Sequence, residues 1–246
     1  MKPLEVIPIK INKEISIGEK LTELILSSIK PKLEDGDILV ISQKIISKKE
    51  GRLVHLPGVI PSMLALGIAS EYQKDPKLVE VILSESKRIV RMEHEVIITE
   101  TKNGIICANS GVDESNLENG YASLLPIDCD KSANEIQKQI FVKTGKSIAV
   151  LIADTFGRPF RMGQTNCAIG VSGIDSIKDY RGKKDNFERI MRVTEIAIAD
   201  EICSAAELVM GKTLKTPAVL VRNFQFEPNN GTANSIIRPE NEDLFR

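Results

Sequence analysis

The sequence predicts an α+β fold with mixed sheets, an antiparallel hairpin and packed helices. Strand-like and helix-like stretches are interleaved without the strict βαβ alternation of a parallel sheet. Apolar runs flank Lys102-Asn103-Gly104, and Asn-Gly between such runs is a strong short-range hairpin signal. Several segments carry helix-start chemistry: Ser16 with Glu19, Asp75 before Pro76, and Ser132 with Glu135. The chain has 246 residues and no internal repeat or low-complexity linker, so it reads as one unit, 1–246, with a sizeable core. A division into two lobes with a cleft between them is compatible with that reading. From Asn229 the composition turns polar, and about 224–246 is expected to be a surface tail.

Taken in order, residues 4–9 suggest a first strand. Ser16 and Glu19 then open a helix carrying Ile17, Leu21, Leu24, Ile25 and Ile29, which Pro31 closes. Ile38–Ser42 is a buried strand ending at Gln43 and Lys44. Lys44 to Arg52 holds four cations and reads either as a solvated edge or as a phosphate-facing loop. Ser62–Tyr72 and the segment after Asp75-Pro76 are helices, and Glu95–Thr99 and Gly104–Ala108 are the hairpin strands. The second of these leads into the polar loop Asn109–Asn116. Ser132 and Glu135 start another helix, which Gly145 ends. Ser147–Ala153 is a buried strand turning at Gly157 and Pro159, with Asp154 and Thr155 at its mouth. Residues 186 to 210 form the longest helical pattern, Gly211 ends it, and Pro217–Val221 is a last strand.

Bulk properties remove several function classes. The formal net charge of −1 leaves no basic field to hold nucleic acid. Apolar runs are too short to span a bilayer. The N-terminus reaches Glu5 and Lys10 without an apolar signal region, so a cytoplasmic location with no membrane partner is expected. Cys107, Cys129, Cys167 and Cys203 lack paired spacing, and only His55 and His94 are present, which argues against zinc sites and histidine-centred triads.

What the sequence does concentrate is acid and cation at strand ends. Asp154 and Thr155 can hold a hard cation through oxygen, and Arg158 and Arg161 carry planar forks suited to phosphate or carboxylate. Asp113 follows the hairpin, and Lys44 and Lys48 follow a third strand. Paired carboxylates with cations suit phosphoryl transfer, where metal ions bridge phosphate oxygens. No Gly-x-x-x-x-Gly-Lys-Ser/Thr is present, so this is not a P-loop fold. The residues alone support a metal-dependent enzyme that uses a nucleotide or phosphate.

Four ordered motifs carry a closer resemblance. They are Ile41-Ser42-Gln43-Lys44-Ile45-Ile46-Ser47-Lys48-Lys49-Glu50-Gly51-Arg52, Ala108-Asn109-Ser110-Gly111-Val112-Asp113-Glu114-Ser115-Asn116, Ala153-Asp154-Thr155-Phe156-Gly157-Arg158 and Glu207-Leu208-Val209-Met210-Gly211-Lys212. Together they resemble the coenzyme F420-0:L-glutamate ligase family, whose members add glutamate to a deazaflavin coenzyme using GTP. The resemblance runs from the first strand to about Arg222. It implies a single ligase unit, GTP as co-substrate, and L-glutamate and coenzyme F420-0 as substrates, with F420-1 as a second candidate acceptor. It implies two divalent ions, Mn²⁺ or Mg²⁺, with K⁺ as a further candidate, and a homodimer. By position, Asp113 and Asp154 would bind one ion and Thr155 would help hold a second. Asn12 to Ile15, Gln43, Lys44, Lys48, Asn116, Met210, Gly211 and Lys212 would border GTP. Asp113, Asp154 and Lys48 would serve catalysis. Arg158 and Arg161 are our assignment for the acceptor or the glutamate carboxylates. In some relatives the turn after Gly211 carries an oxygen-bearing side chain for the second ion, where this chain has Lys212. Some relatives have small hydroxyl residues in place of Gln43-Lys44, so nucleotide contacts here could run through backbone. Two rival readings use the same residues: a metal-dependent nucleotide phosphohydrolase and a non-catalytic nucleotide-binding protein.

Overall fold

The computed structural model describes residues 2–244. The first strand, β1 (Glu5–Ile9), leads to α1 (Leu21–Ser28), β2 (Ile38–Ser42) and, without a break, α2 (Gln43–Lys49). Residues 53–124 supply β3 (Leu53–His55), α3 (Met63–Tyr72), α4 (Pro76–Glu85), β4 (Ser86–Glu93), β5 (Val96–Thr101), β6 (Ile106–Ala108) and β7 (Tyr121–Ser123). Then come α5 (Cys129–Thr144), β8 (Ala149–Arg158) and β9 (Arg161–Ser172). The chain ends on β10 (Lys178–Asp179), β11 (Glu195–Ile196), α6 (Ile198–Met210) and β12 (Ala218–Arg222), followed by two short 3₁₀ turns.

The central five-stranded sheet has the order β1-β12-β2-β8-β9, antiparallel except between β2 and β8. With the separate β4-β5-β6 sheet and the packed helices, this is the expected α+β class. β2 and β8 are covered on both faces, so Ile38-Leu39-Val40-Ile41 and Ala149-Val150-Leu151-Ile152 read as unbroken apolar runs. Strand alternation then sorts them. Leu39, Ile41, Val150 and Ile152 join Ile25, Ile136 and Ile140 on the side of α1 and α5. Ile38, Val40 and Leu151 join Ile202, Cys203 and Ala206 on the side of α6. Residues 53–124 gather their own cluster around Ala65, Val79, Ile82, Ile97 and Ala122. Each large aliphatic buried this way contributes roughly 1.5–3 kcal/mol.

Several local expectations hold. The Ser62 hydroxyl accepts from the Ala65 N–H at 3.2 Å, and the Asp75 carboxylate accepts from the Lys77 N–H at 2.8 Å, so α3 and α4 start where their caps lie. β5 and β6 pair antiparallel across Asn103-Gly104, and Gly145 ends α5 at φ +68°.

Others are corrected. Lys44 to Lys49 is helix, not loop or edge, because Ile45, Ile46 and Ser47 find core to bury against. Helical spacing then places Lys44 and Lys48 on one face. The first helix starts at Leu21 rather than at Ser16, since Gly18 takes φ +74° and breaks the helical path. The fifth starts at Cys129, where the Asp128 carboxylate accepts from the Lys131 N–H at 2.9 Å; Ser132 lies inside it. Only residues 198–210 of the long helical pattern are helix. Asp185 accepts from the N–H groups of Phe187 and Arg189, and such side-chain-to-backbone bonds compete with helix, while Ile190 and Val193 meet no core. β4, which was not anticipated, is a charged strand paired to β5. β8 continues through Asp154 and Thr155 to Arg158, so these residues lie within a ladder and not at a strand mouth. The expected surface tail is mostly exposed, but it is pinned by a few side chains: Phe224, Phe226 and Ile236 lie against the α6-side cluster and Ala233 is buried. Residues 245 and 246 of that tail lie outside the described residues. No helix among the described residues is long and apolar enough to cross a membrane.

Candidate active site

Asp113 and Asp154 come from unconnected elements, and the charge of Asp113 bears on Asp154. Asp113 stands after the turn that leaves β6, where Asn109, Ser110 and Gly111 take φ values of 53°, 53° and 70° in succession. Two non-glycine residues in the left-handed region are uncommon and persist only where the surroundings hold them. Here Ser110 is fixed by the hydroxyls of Thr99 and Ser86, each 2.7 Å away, and donates its N–H to Thr99 Oγ1 at 2.9 Å. Leu125 packs so closely over Gly111 that a Cβ there would lie 2.6 Å from Leu125 Cγ. Beyond the turn, Asp113 and Ser123 exchange backbone hydrogen bonds of 3.1 and 2.8 Å.

The Asp113 carboxylate is well supplied with donors. Lys44 Nζ donates to Oδ2 at 2.5 Å and also reaches the carbonyl and hydroxyl oxygens of Ser115 at 2.7 and 2.6 Å. The Ser115 N–H donates to Oδ1 at 2.8 Å and its hydroxyl to Oδ2 at 2.7 Å. Burial would raise the pKa of Asp113, but the donors from Lys44 and Ser115 together hold it below the ordinary value.

Asp154 behaves oppositely. Burial raises its pKa from 3.8 to about 6, the Thr155 N–H counters in part, the charge of Asp113 adds to the rise, and Lys44 and Lys212 soften it. Asp154 lies opposite Cys167 in the β8–β9 ladder and Thr155 opposite Asn166, so the two side chains serve opposite faces of the strand. Thr155 donates to Asn166 Oδ1 at 2.7 Å and accepts from Lys212 Nζ at 2.6 Å. Lys212 also pairs with Glu207 at 2.9 Å, and Glu207 accepts the Asn166 N–H at 3.0 Å. On the α2 side, Lys48 donates to the Asn116 carbonyl at 3.0 Å and is ion-paired with Glu14.

Hydrogen bonds thus join Lys44 and Lys48 to the Asp113–Asn116 loop and Lys212 to Thr155, and the charges of Asp113, Lys44 and Lys212 all bear on Asp154. Other expected residues stand differently. Ile15 and Met210 are core side chains, while Asn12 and Gly211 are exposed. Gln43 is buried and accepts from the Ser47 hydroxyl at 2.8 Å, so its side chain is turned away from solvent. Arg158 and Arg161 occupy the β8–β9 tip, four residues or about 13 Å of strand beyond Asp154. Arg158 donates to the Met162 carbonyl at 2.9 Å and braces that tip, and Arg161 is exposed. Sequence reasoning did not single out Glu14, Ser115, Asn166 or Glu207. Ser115 and Glu207 lay inside quoted motifs and Glu14 inside the Asn12–Ile15 loop, but nothing local marked Asn166.

A divalent ion is implied by the family resemblance, and the donors suit it. They are carboxylate, hydroxyl and amide oxygens without sulfur or imidazole, the set that hard Mg²⁺ or Mn²⁺ prefers. Close by in the chain, Asn109 Oδ1 is buried with no hydrogen-bond partner among the described residues. No group of three or more His, Cys, Asp and Glu gathers as a metal cluster among those residues, so a site here depends on neutral oxygens beside the two acids. At Thr155 the ammonium of Lys212 already holds the hydroxyl, so a second ion there requires Lys212 to move away.

Comparison with known proteins gives the same direction. Residues 9–223 match the family model described as F420-0:Gamma-glutamyl ligase. The chain is 48% identical over 215 residues to the Coenzyme F420:L-glutamate ligase of Methanocaldococcus jannaschii, covering 87% of this chain and 86% of that protein. It is 42% identical to the protein of that name from Methanothermobacter thermautotrophicus, covering 94% of each chain. The counterpart from Methanopyrus kandleri is also 42% identical, over 99% of this chain and 98% of its own. With a match across nearly the whole length, this chain belongs to the F420-0:gamma-glutamyl ligase family.

Proposed function

We propose that this protein joins L-glutamate to coenzyme F420-0, with F420-1 as a second acceptor, using GTP and releasing GDP and phosphate. The observation that carries the reading is that Asp113, held by Lys44, stands near enough to Asp154 of the central sheet for both charges to bear on that carboxyl. The acceptor's terminal carboxylate attacks the GTP γ-phosphate and forms an acyl phosphate. The amine of L-glutamate then attacks the activated carbonyl, forming an amide and expelling phosphate. Lys44 and Lys48 lie on one face of α2 and offset phosphate charge, a task that suits flexible ammonium groups. Asp113, Asp154 and Thr155 would hold Mn²⁺ or Mg²⁺, which supplies charge neutralisation on the transferring phosphoryl oxygens. The buried side chain of Gln43 leaves its backbone for nucleotide contact.

Incubating the protein with GTP, Mn²⁺, L-glutamate and F420-0 while following acceptor mass tests the proposal. A glutamyl increment with matching GDP is expected. Nucleotide hydrolysis indifferent to L-glutamate would instead establish a phosphohydrolase. Nucleotide binding with no turnover, and no change on Asp113→Asn, would establish a non-catalytic binder.

A further inference from the structure

The face of β8 that presents Asp154 continues into a cavity of about 250 Å³. Residues two apart on a strand share a face, so Phe156 extends the Asp154 side by roughly 7 Å. Phe156 lines the cavity, as does Cys167, the ladder partner of Asp154. The remaining apolar wall includes Ile106 from β6, Ile169 from β9 and Ile237 from the C-terminal segment. Arg238 and Asp200 supply polar groups. An apolar cavity with a few polar groups, whose lining includes the strand neighbour and the ladder partner of Asp154, has the make-up of a small-molecule seat.

A peptide strand is a poor occupant although β9 is an edge strand. Asp200 already accepts the outward Ala168 N–H at 2.8 Å and Glu207 the Asn166 N–H, so that edge has no free donors there for strand addition. The largely apolar lining with Arg238 and Asp200 suits a ring system that carries polar groups, attached to an anionic arm that must reach Asp154.

We infer that this cavity seats the planar deazaflavin ring of the acceptor, its anionic arm running back along β8 toward Asp154 and Asp113. The inference rests on the ligase reading above and adds where the acceptor lies. It also places the ring between the reacting centre and the Arg158–Arg161 tip, so those arginines do not hold the phosphodiester.

The test uses the full chain with Ile237→Trp and Ile106→Trp, each filling the cavity from a different wall. Ile237 lies outside the sheets, so this variant keeps the test open even where the strand substitution unfolds; thermal melts identify folded variants. F420-0 is titrated by its own absorbance and fluorescence without GTP or glutamate, and steady-state constants are measured in parallel. Acceptor Kd and KM should rise about tenfold or more, with the KM for GTP within about twofold of wild type. Acceptor binding unchanged in a folded Ile237→Trp variant, beside a wild type that glutamylates, overturns the cavity assignment alone. A wild type that binds GTP yet neither binds nor glutamylates F420-0 overturns the ligase reading and the cavity with it.

Discussion

The turn that carries Asp113 and the strand that carries Asp154 place the same side chain in opposite electrostatic settings. Asp113 follows three left-handed residues and is met by an ammonium, an N–H and a hydroxyl, so it stays an anion below its ordinary range. Asp154 sits in a ladder, just after a register shift at Ile152/Ala153, with the Thr155 N–H as its chief local support, and burial carries it to about 6. A charged carboxylate nearby makes a second, buried one harder to ionise. The turn supplies an acid that ionises readily, whereas the strand supplies one that ionises more readily when further positive charge arrives. The asymmetry lets the fold tolerate two acids where a nucleotide must bind.

The comparison can be broken at each end. Asp113→Asn and Asp154→Asn should each lower the glutamylation rate by about 10²–10³-fold, read from acceptor mass against time. Equal residual activity in either variant would mean that the pair is not the reacting centre. Gly111→Ala attacks the strained turn alone. Its new methyl meets Leu125 at a left-handed φ, and a loss of about 2–4 kcal/mol is expected in denaturant midpoints. An unshifted midpoint would show that the turn relaxes freely.

The strand end predicts a change of opposite sign. Because folded Asp154 binds a proton more tightly than the unfolded chain does, its contribution to stability falls as pH rises from about 3.8 through about 6 and stays lost above. Asp154→Asn should therefore stabilise the metal-free protein at pH 7, by on the order of 1–3 kcal/mol, even as it lowers activity. Wild-type Mn²⁺ affinity should fall about tenfold per pH unit below about 6, measured by titration calorimetry. Destabilisation of Asp154→Asn at neutral pH would contradict the assigned burial. The smallest effect belongs to Glu14, whose side chain is 80% exposed despite its pairing with Lys48. Glu14→Gln should change stability by less than about 0.5 kcal/mol in the same melts; a larger loss would show that the first loop is anchored through this pair.

Much of the scaffold was legible because it is written in local patterns. β2, β8 and β12 are apolar runs bounded by turn residues, Asp75-Pro76 caps α4, and Asn103-Gly104 bends the hairpin. The misread segments are those where local pattern and packing disagree. Lys44–Lys49 resembles a charged edge until Ile45 and Ile46 are given a core, and 186–197 has helical spacing but no core to face.

By itself, the sequence determined the α+β class, the buried strands and the identity of the acids and lysines, since periodicity, caps and residue chemistry act over a few neighbouring positions. Tertiary structure alone decided that Lys44 grips Asp113, that Glu207 and Lys212 close around Thr155, and that Arg158 and Arg161 lie about 13 Å along the strand from Asp154. Contacts between residues dozens of positions apart depend on how sheet and helices pack, and no short-range pattern encodes that distance. The opposite pKa shifts of Asp113 and Asp154 are the sharpest case, because one residue type is pushed down in one place and up in the other by burial and neighbours that only the folded chain brings together.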